Sequence, residues 1–143
     1  MKLENILKKK NEGKWFEIPG EYFESDPVKL LLKPINTDDL TSVSVTETRY
    51  NKKTHQPYEY TDKKKQTKNF EDLLFNSVIG WTGIDEEFNR INWDTFIKNL
   101  GNIKVLSEYS EEEEKEIDIT LSSWISNTCL NPENFYKDDT ENL

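Results

Sequence analysis

One histidine and one cysteine among 143 residues leave little for catalysis to work with. His55 stands in a lysine-rich stretch, so no Ser-His-Asp or Cys-His arrangement assembles convincingly. Cys129 has no second cysteine to pair with inside the chain, and the fold therefore needs no oxidising compartment. No neighbouring histidine or basic cluster lowers its pKa, and it reads as a buried, inert thiol. CxxC, HxxxH and HExxH spacings are all missing, which removes the usual zinc sites. The five glycines form neither a phosphate-cradling loop nor a dinucleotide turn. Ser110-Glu111-Glu112-Glu113-Glu114 lacks the Asp/Asn alternation and turn glycine of an EF-hand. The expectation is a protein with no cofactor and no metal that is not an enzyme.

Long apolar runs are missing too. Nothing approaches the roughly 18–20 apolar residues of a spanning helix. The lysines of residues 1–14 precede no apolar segment of the secretory kind. A soluble, cytoplasmic protein that does not touch membrane is expected.

Aromatics, by contrast, are abundant. Four Trp, six Tyr and seven Phe bring a large apolar area per residue, enough for one domain to build its core without staples. The net charge of −9 disfavours direct contact with nucleic acid or anionic lipid. That charge is uneven. Residues 51–68 hold six lysines against Glu59 and Asp62, a local +4, whereas residues 104–143 hold three lysines against eleven acids, a local −8. Solvated faces account for such asymmetry, and so does a protein that docks on something.

Leu3, Ile6 and Leu7 have helical spacing, closed by Asn11-Glu12-Gly13. Lys14-Trp15-Phe16-Glu17-Ile18 before Pro19-Gly20, and VKLLL at 28–32 between Pro27 and Pro34, read as two short antiparallel strands. Residues 41–50 divide the signals. Val43 and Val45 alternate as in a strand, while Asp38 and Asp39 lead in as they would for a capped helix, and the helix is preferred. Residues 51–68 read as an exposed loop broken at Pro57, with at most a brief strand at Tyr58 and Tyr60. Lysines interleaved with tyrosines also suit single-stranded nucleic acid, but a charged loop fits this acidic chain better.

Phe70, Leu73, Leu74 and Val78 then share a helical face, with Gly80 and Gly83 ending the helix on either side of Trp81. Asn92 or Asp94 caps a short helix carrying Trp93, Phe96, Ile97 and Leu100, closed by Gly101. A last helix is expected from Asn102 or Ile103 to about Thr128, with Ile117, Leu121, Trp124 and Ile125 along one face and Asn131-Pro132 as its stop. The fold class expected is α+β, a small N-terminal antiparallel β element followed by a mainly helical C-terminal half. Residues 1–136 form one globular domain with an exposed lysine-rich loop at 51–68, and 137–143 form an acidic flexible tail.

Two surfaces are candidates for a partner. Ile117, Leu121, Trp124 and Ile125 would offer an apolar helix face. Glu111, Glu112, Glu113 and Glu114 are either a solvated helical face or a row of carboxylates imitating phosphates, which a duplex spaces one per roughly 1.7 Å of axis. Trp81 and Trp124 read primarily as core.

The arrangement Asp72-Leu73-Leu74, Val78-Ile79-Gly80-Trp81-Thr82-Gly83-Ile84-Asp85, then Asn92-Trp93-Asp94 to Leu100, resembles small phage tail-assembly chaperones and related prophage proteins. The strands at Trp15 and at 28–32 are similar in order. The chain departs from that pattern in lacking a glycine turn after Asp85 and in the length expected of its acidic last helix. The resemblance implies a non-enzymatic role in the cytoplasm of a bacterial host: binding a long, aggregation-prone tape-measure-type tail protein until tail-tube subunits polymerise around it. Two alternatives stay open, an acidic DNA-mimic inhibitor of a host defence nuclease, of anti-CRISPR or anti-restriction type, and a structural virion component. Oligomeric state is left open.

Overall fold

Pro19 after the first strand and Pro27 and Pro34 on either side of the second keep the first sheet short. In the computed structural model, which describes residues 1–136, β1 (Lys14–Glu17) pairs antiparallel with β2 (Lys29–Leu32), Trp15 opposite Leu31 and Phe16 opposite Leu30. α1 (Leu3–Glu12) precedes them and ends at Gly13, whose φ of 71° allows the reversal into β1. The third strand of this sheet is β5 (Val78–Thr82), which lies antiparallel on the other side of β2 with Leu30 opposite Trp81. Val78-Ile79-Gly80-Trp81 therefore does not end a helix; it is a strand. The preceding helix, α3 (Lys63–Asn76), stops at Ser77, whose Oγ donates to the Leu74 carbonyl at 2.7 Å. The β-branched pair that follows completes the ladder on β2.

The expected division into a β N-terminus and a helical C-terminal half does not hold. Six helices and seven strands alternate through the described residues. At 37–50 both local signals are used in turn. α2 (Thr37–Thr41) is a single turn, closed where the Thr41 and Ser42 hydroxyls donate to the carbonyls of Asp38 and Asp39. β3 (Thr46–Tyr50) follows and pairs with β4 (Pro57–Thr61). The lysine-rich 51–68 segment is thus mostly ordered structure. Asn51 Oδ1 accepts from the N–H groups of Lys53 and Thr54, and His55 at φ 56° completes the turn between β3 and β4. Lys63, Lys64 and Lys65 are the first turn of α3, capped by Asp62.

The long acidic helix is also replaced. β6 (Lys104–Ser110) and β7 (Lys115–Thr120) form a hairpin, and Glu111 to Glu114 make its turn rather than a helical face. Glu-Ile-Asp-Ile-Thr at 116–120 alternates with period two, and pairing with β6 prevails over the helix propensity of the glutamates. Only α5 (Leu121–Leu130) is helical here, ended at Asn131 as expected, with the short α6 (Glu133–Tyr136) after it. The tail expected at 137–143 lies outside the described residues.

One core collects the apolar sides of these elements. Leu30 and Leu32 from β2, Leu74 from α3, Trp93 from α4 (Arg90–Leu100) and Leu121, Ile125 and Cys129 from α5 are its most buried side chains. The β3–β4 hairpin contributes nothing to it: all ten of its strand residues are exposed.

Candidate functional site

The segment carrying Trp81 and Trp93 builds an aromatic wall. β5 delivers Trp81, whose indole N–H donates to the Glu86 carbonyl at 2.9 Å and so ties the 83–89 loop back over the strand. Asn89 Oδ1 accepts from the Asn92 N–H and starts α4 there, earlier than Asn92 or Asp94 would. Asp94 is used differently. It joins Asp72 in holding Arg90, with Nε to Asp94 Oδ1 at 2.9 Å and Nη2 to Asp72 Oδ1 at 2.8 Å. The hydrogen bond that Arg90 donates to Asp72, opposed by desolvation and reinforced by Asp94, raises the Arg90 pKa, so this link between α3 and α4 stays charged. The guanidinium also lies 5.0 Å over the Phe75 ring.

On that frame Trp81 meets Phe88 at 5.2 Å and Phe96 at 5.7 Å edge to face, and Trp93 lies behind at 6.3 Å. A 3-10 turn at Glu21–Phe23 faces them, with Phe23 6.5 Å from Phe96. Between turn and wall runs a cleft of about 490 Å³. Its apolar lining is Tyr22, Phe23, Val28, Trp81, Ile84, Phe96 and Leu100, and its polar groups are Asp26, Glu86, Asn92 and Thr95. Tyr22 is 61% exposed, so a large aromatic stands ready at the mouth. Both charged lining residues are acids, and no lysine, arginine, histidine or cysteine lines the cleft. Such a site can seat apolar groups and attract a positive charge beside them.

The residues singled out from the sequence are distributed otherwise. Leu121 and Ile125 are wholly enclosed at 0% exposure, and Trp124 is half-buried against the same core. Ile117 is on β7, a different element, and the four do not form one exposed face. Glu111 to Glu114 are all exposed at the β6–β7 turn, with Glu113 3.7 Å from Lys115. His55 is at the exposed tip of the β3–β4 hairpin, and Cys129 is in the core. Among the described residues no group of three or more His, Cys, Asp or Glu is placed to hold a metal ion, and no helix is long and apolar enough to cross a membrane. Tyr22, Phe23 and Asp26, which complete the cleft, drew no functional reading from the sequence; the Phe at 23 amid polar neighbours was the available signal.

Burial pushes the Cys129 thiol from 9.0 up to about 11, with a hydrogen bond to Ser77 partly opposing. Below about pH 9 the thiol is protonated in both folded and unfolded chains and contributes no pH dependence. Between 9.0 and about 11 only the unfolded chain ionises, so stability falls as pH rises through this window. The loss reaches about 3 kcal/mol, from about 1.4 kcal/mol per pH unit. Urea unfolding at about pH 8 and about pH 11 should show it as the difference between wild type and Cys129→Ala. Equal slopes in the two proteins would place the thiol in contact with water.

No protein-family model, curated protein or solved structure matches the chain.

Proposed function

We propose that this chain acts by binding another protein, as a phage or prophage tail-assembly chaperone of the kind that residues 72–100 resemble. The observation that supports it is the cleft between the Glu21–Phe23 turn and α4, whose wall is built by that same segment. Its volume falls within the roughly 300–1,000 Å³ of ligand-binding clefts. Aromatic lining at a solvent-open mouth is the composition of binding hot spots. Asp26 and Glu86 favour an occupant carrying lysine or arginine beside its apolar side chains. A helix of a long tail protein presents both on one face, at i, i+3 and i+4 spacing. Binding of this type is dominated by apolar burial and holds at high salt, whereas a contact made by the acids of the β6–β7 turn would be lost by screening.

Thr95 is exposed on α4 at the cleft and its side chain bonds only its own helix, to the Ile91 carbonyl at 3.1 Å. Thr95→Arg should therefore fill the cleft and leave the fold intact. Tagged protein recovered from phage-producing cells is expected to carry a long, helix-rich tail protein that survives a high-salt wash. In Thr95→Arg that recovery should fall roughly tenfold or more, about 1.4 kcal/mol per tenfold step. Recovery of a host nuclease complex that washes off in salt and ignores Thr95→Arg would overturn the proposal in favour of the acidic inhibitor.

A further inference from the structure

The molecule carries two hairpins of opposite charge, and each projects beyond the core. Cross-strand pairing puts Glu47, Arg49, Tyr58 and Tyr60 on one face of the β3–β4 hairpin, with the Arg49 guanidinium stacked 3.6 Å over the Tyr60 ring. Lys52 and Lys53 stand at its tip, and Lys63, Lys64 and Lys65 follow at the start of α3. A two-stranded sheet with neither face covered is marginal by itself in water, and tyrosine beside arginine is a composition favoured at protein interfaces. The β6–β7 hairpin holds Val105 and Ile119 at its base in the core, while residues 111–116 are exposed at its outer end. Glu111 to Glu114 and Glu116 make that end strongly negative, and Tyr109, 64% exposed, lies opposite Glu116. Among the described residues the ion pairs of these arms stay inside each of them: Arg49 with Glu47 at 3.5 Å, Lys115 with Glu113 at 3.7 Å and Lys104 with Asp118 at 3.3 Å.

We propose that the tyrosine–arginine face of the β3–β4 hairpin docks on the acidic end of the β6–β7 hairpin of a second copy of this chain. Charge complementarity selects that occupant. Lys52, Lys53 and Arg49 meet Glu111 to Glu114, and Tyr58 and Tyr60 have Tyr109 as their apolar counterpart. The two surfaces differ, so the contact is head to tail, and each copy keeps one arm of either sign for a further neighbour. The contact is separate from the cleft, and Thr95→Arg leaves it in place.

Sedimentation velocity at about 0.01 M and about 1 M salt tests this, because the Debye length falls from about 30 Å to about 3 Å between them. At low salt the mass should exceed the 16.9 kDa of one chain and rise with concentration; at high salt one chain should remain. Lys52→Glu with Lys53→Glu, and separately Glu112→Lys with Glu113→Lys, should each weaken association roughly tenfold or more. The two variants mixed in equal amounts should associate again, and so should a chain carrying all four changes. A single chain at low salt and every concentration overturns the proposal, as does an assembly indifferent to both reversals. Binding of a single-stranded oligonucleotide to the monomer, lost in Lys52→Glu with Lys53→Glu, would reassign the basic arm to nucleic acid.

Discussion

Trp93→Ala is expected to remove about 3–5 kcal/mol of stability, the range for deleting a large buried aromatic. Folded domains have about 5–15 kcal/mol in total, so the variant approaches the limit of folding. Trp93 is 1% exposed and lies in the first turn of α4, where its N–H donates to the Asn89 carbonyl at 2.9 Å. Its ring meets Phe96 at 5.8 Å, Phe88 at 6.0 Å and Trp81 at 6.3 Å. These neighbours come from α4, the 83–89 loop and β5, and no one of them can move into the vacated space without leaving the other two. The cavity therefore stays open, and its cost adds to the lost transfer free energy. Because Trp81 and Phe96 line the cleft, partner binding should weaken along with stability. Urea unfolding followed by circular dichroism is the measurement, with the midpoint falling and the slope unchanged. Trp93→Phe keeps part of the ring contact and should lose less than half as much. A loss below about 1 kcal/mol in Trp93→Ala would show that α4 does not rest on β5 through this ring.

What the sequence disclosed was what short-range chemistry decides. Gly13 at positive φ ends α1, prolines bound β1 and β2, and Asn131 before Pro132 closes α5, each through chemistry within a residue or two of the stop, and Gly101 follows α4 as a residue of low helix propensity. Burial of Cys129 was legible from the lack of any charged neighbour to activate it. Strands β5, β6 and β7 were obscured because a strand is stabilised by a partner distant in the chain. Residues 78–82 fit the end of an apolar helix until β2 is placed beside them. The glutamates at 111–114 favour helix in isolation, and they conceal a turn in which Glu114 takes φ 54°. That error also put Ile117 on one helix with Leu121 and Ile125, giving an apolar face where the structure has a strand residue and two core residues. The cleft was half visible. Residues 81–100 stood out, but their counterpart at 21–28 faces them through the pairing of β1, β2 and β5, which no local pattern records.

Gly83→Ala should be the most damaging of the smallest substitutions, at about 3 kcal/mol or more. Two penalties coincide. Gly83 has φ +91°, outside the range that alanine adopts comfortably, and strain of that kind costs about 1–3 kcal/mol. A Cβ there would also come within 2.1 Å of the Pro27 carbonyl oxygen and 3.1 Å of Val28 Cα, and overpacking adds about 1–3 kcal/mol. Neither obstacle is a side chain that can swing away. Pro27 leads directly into Val28, whose carbonyl accepts from the Ile18 N–H at 2.9 Å, and then into β2 at the centre of the sheet. Relief of the clash must therefore shift β2 against β1 or pull the 83–89 loop off β5, and the second route opens the cleft beside Gly83. Gly80, three residues earlier on β5, supplies the control, since an added Cβ there meets nothing within 4 Å. Gly80→Ala should be neutral or stabilise by a few tenths of a kcal/mol through the unfolded chain's lost freedom. At roughly 2–4 °C per kcal/mol for a chain of this size, the two alanines should separate by about 10 °C in thermal unfolding. Equal melting temperatures would mean that the turn after β5 stands clear of Pro27, and the close approach that shapes the floor of the cleft would have to be abandoned.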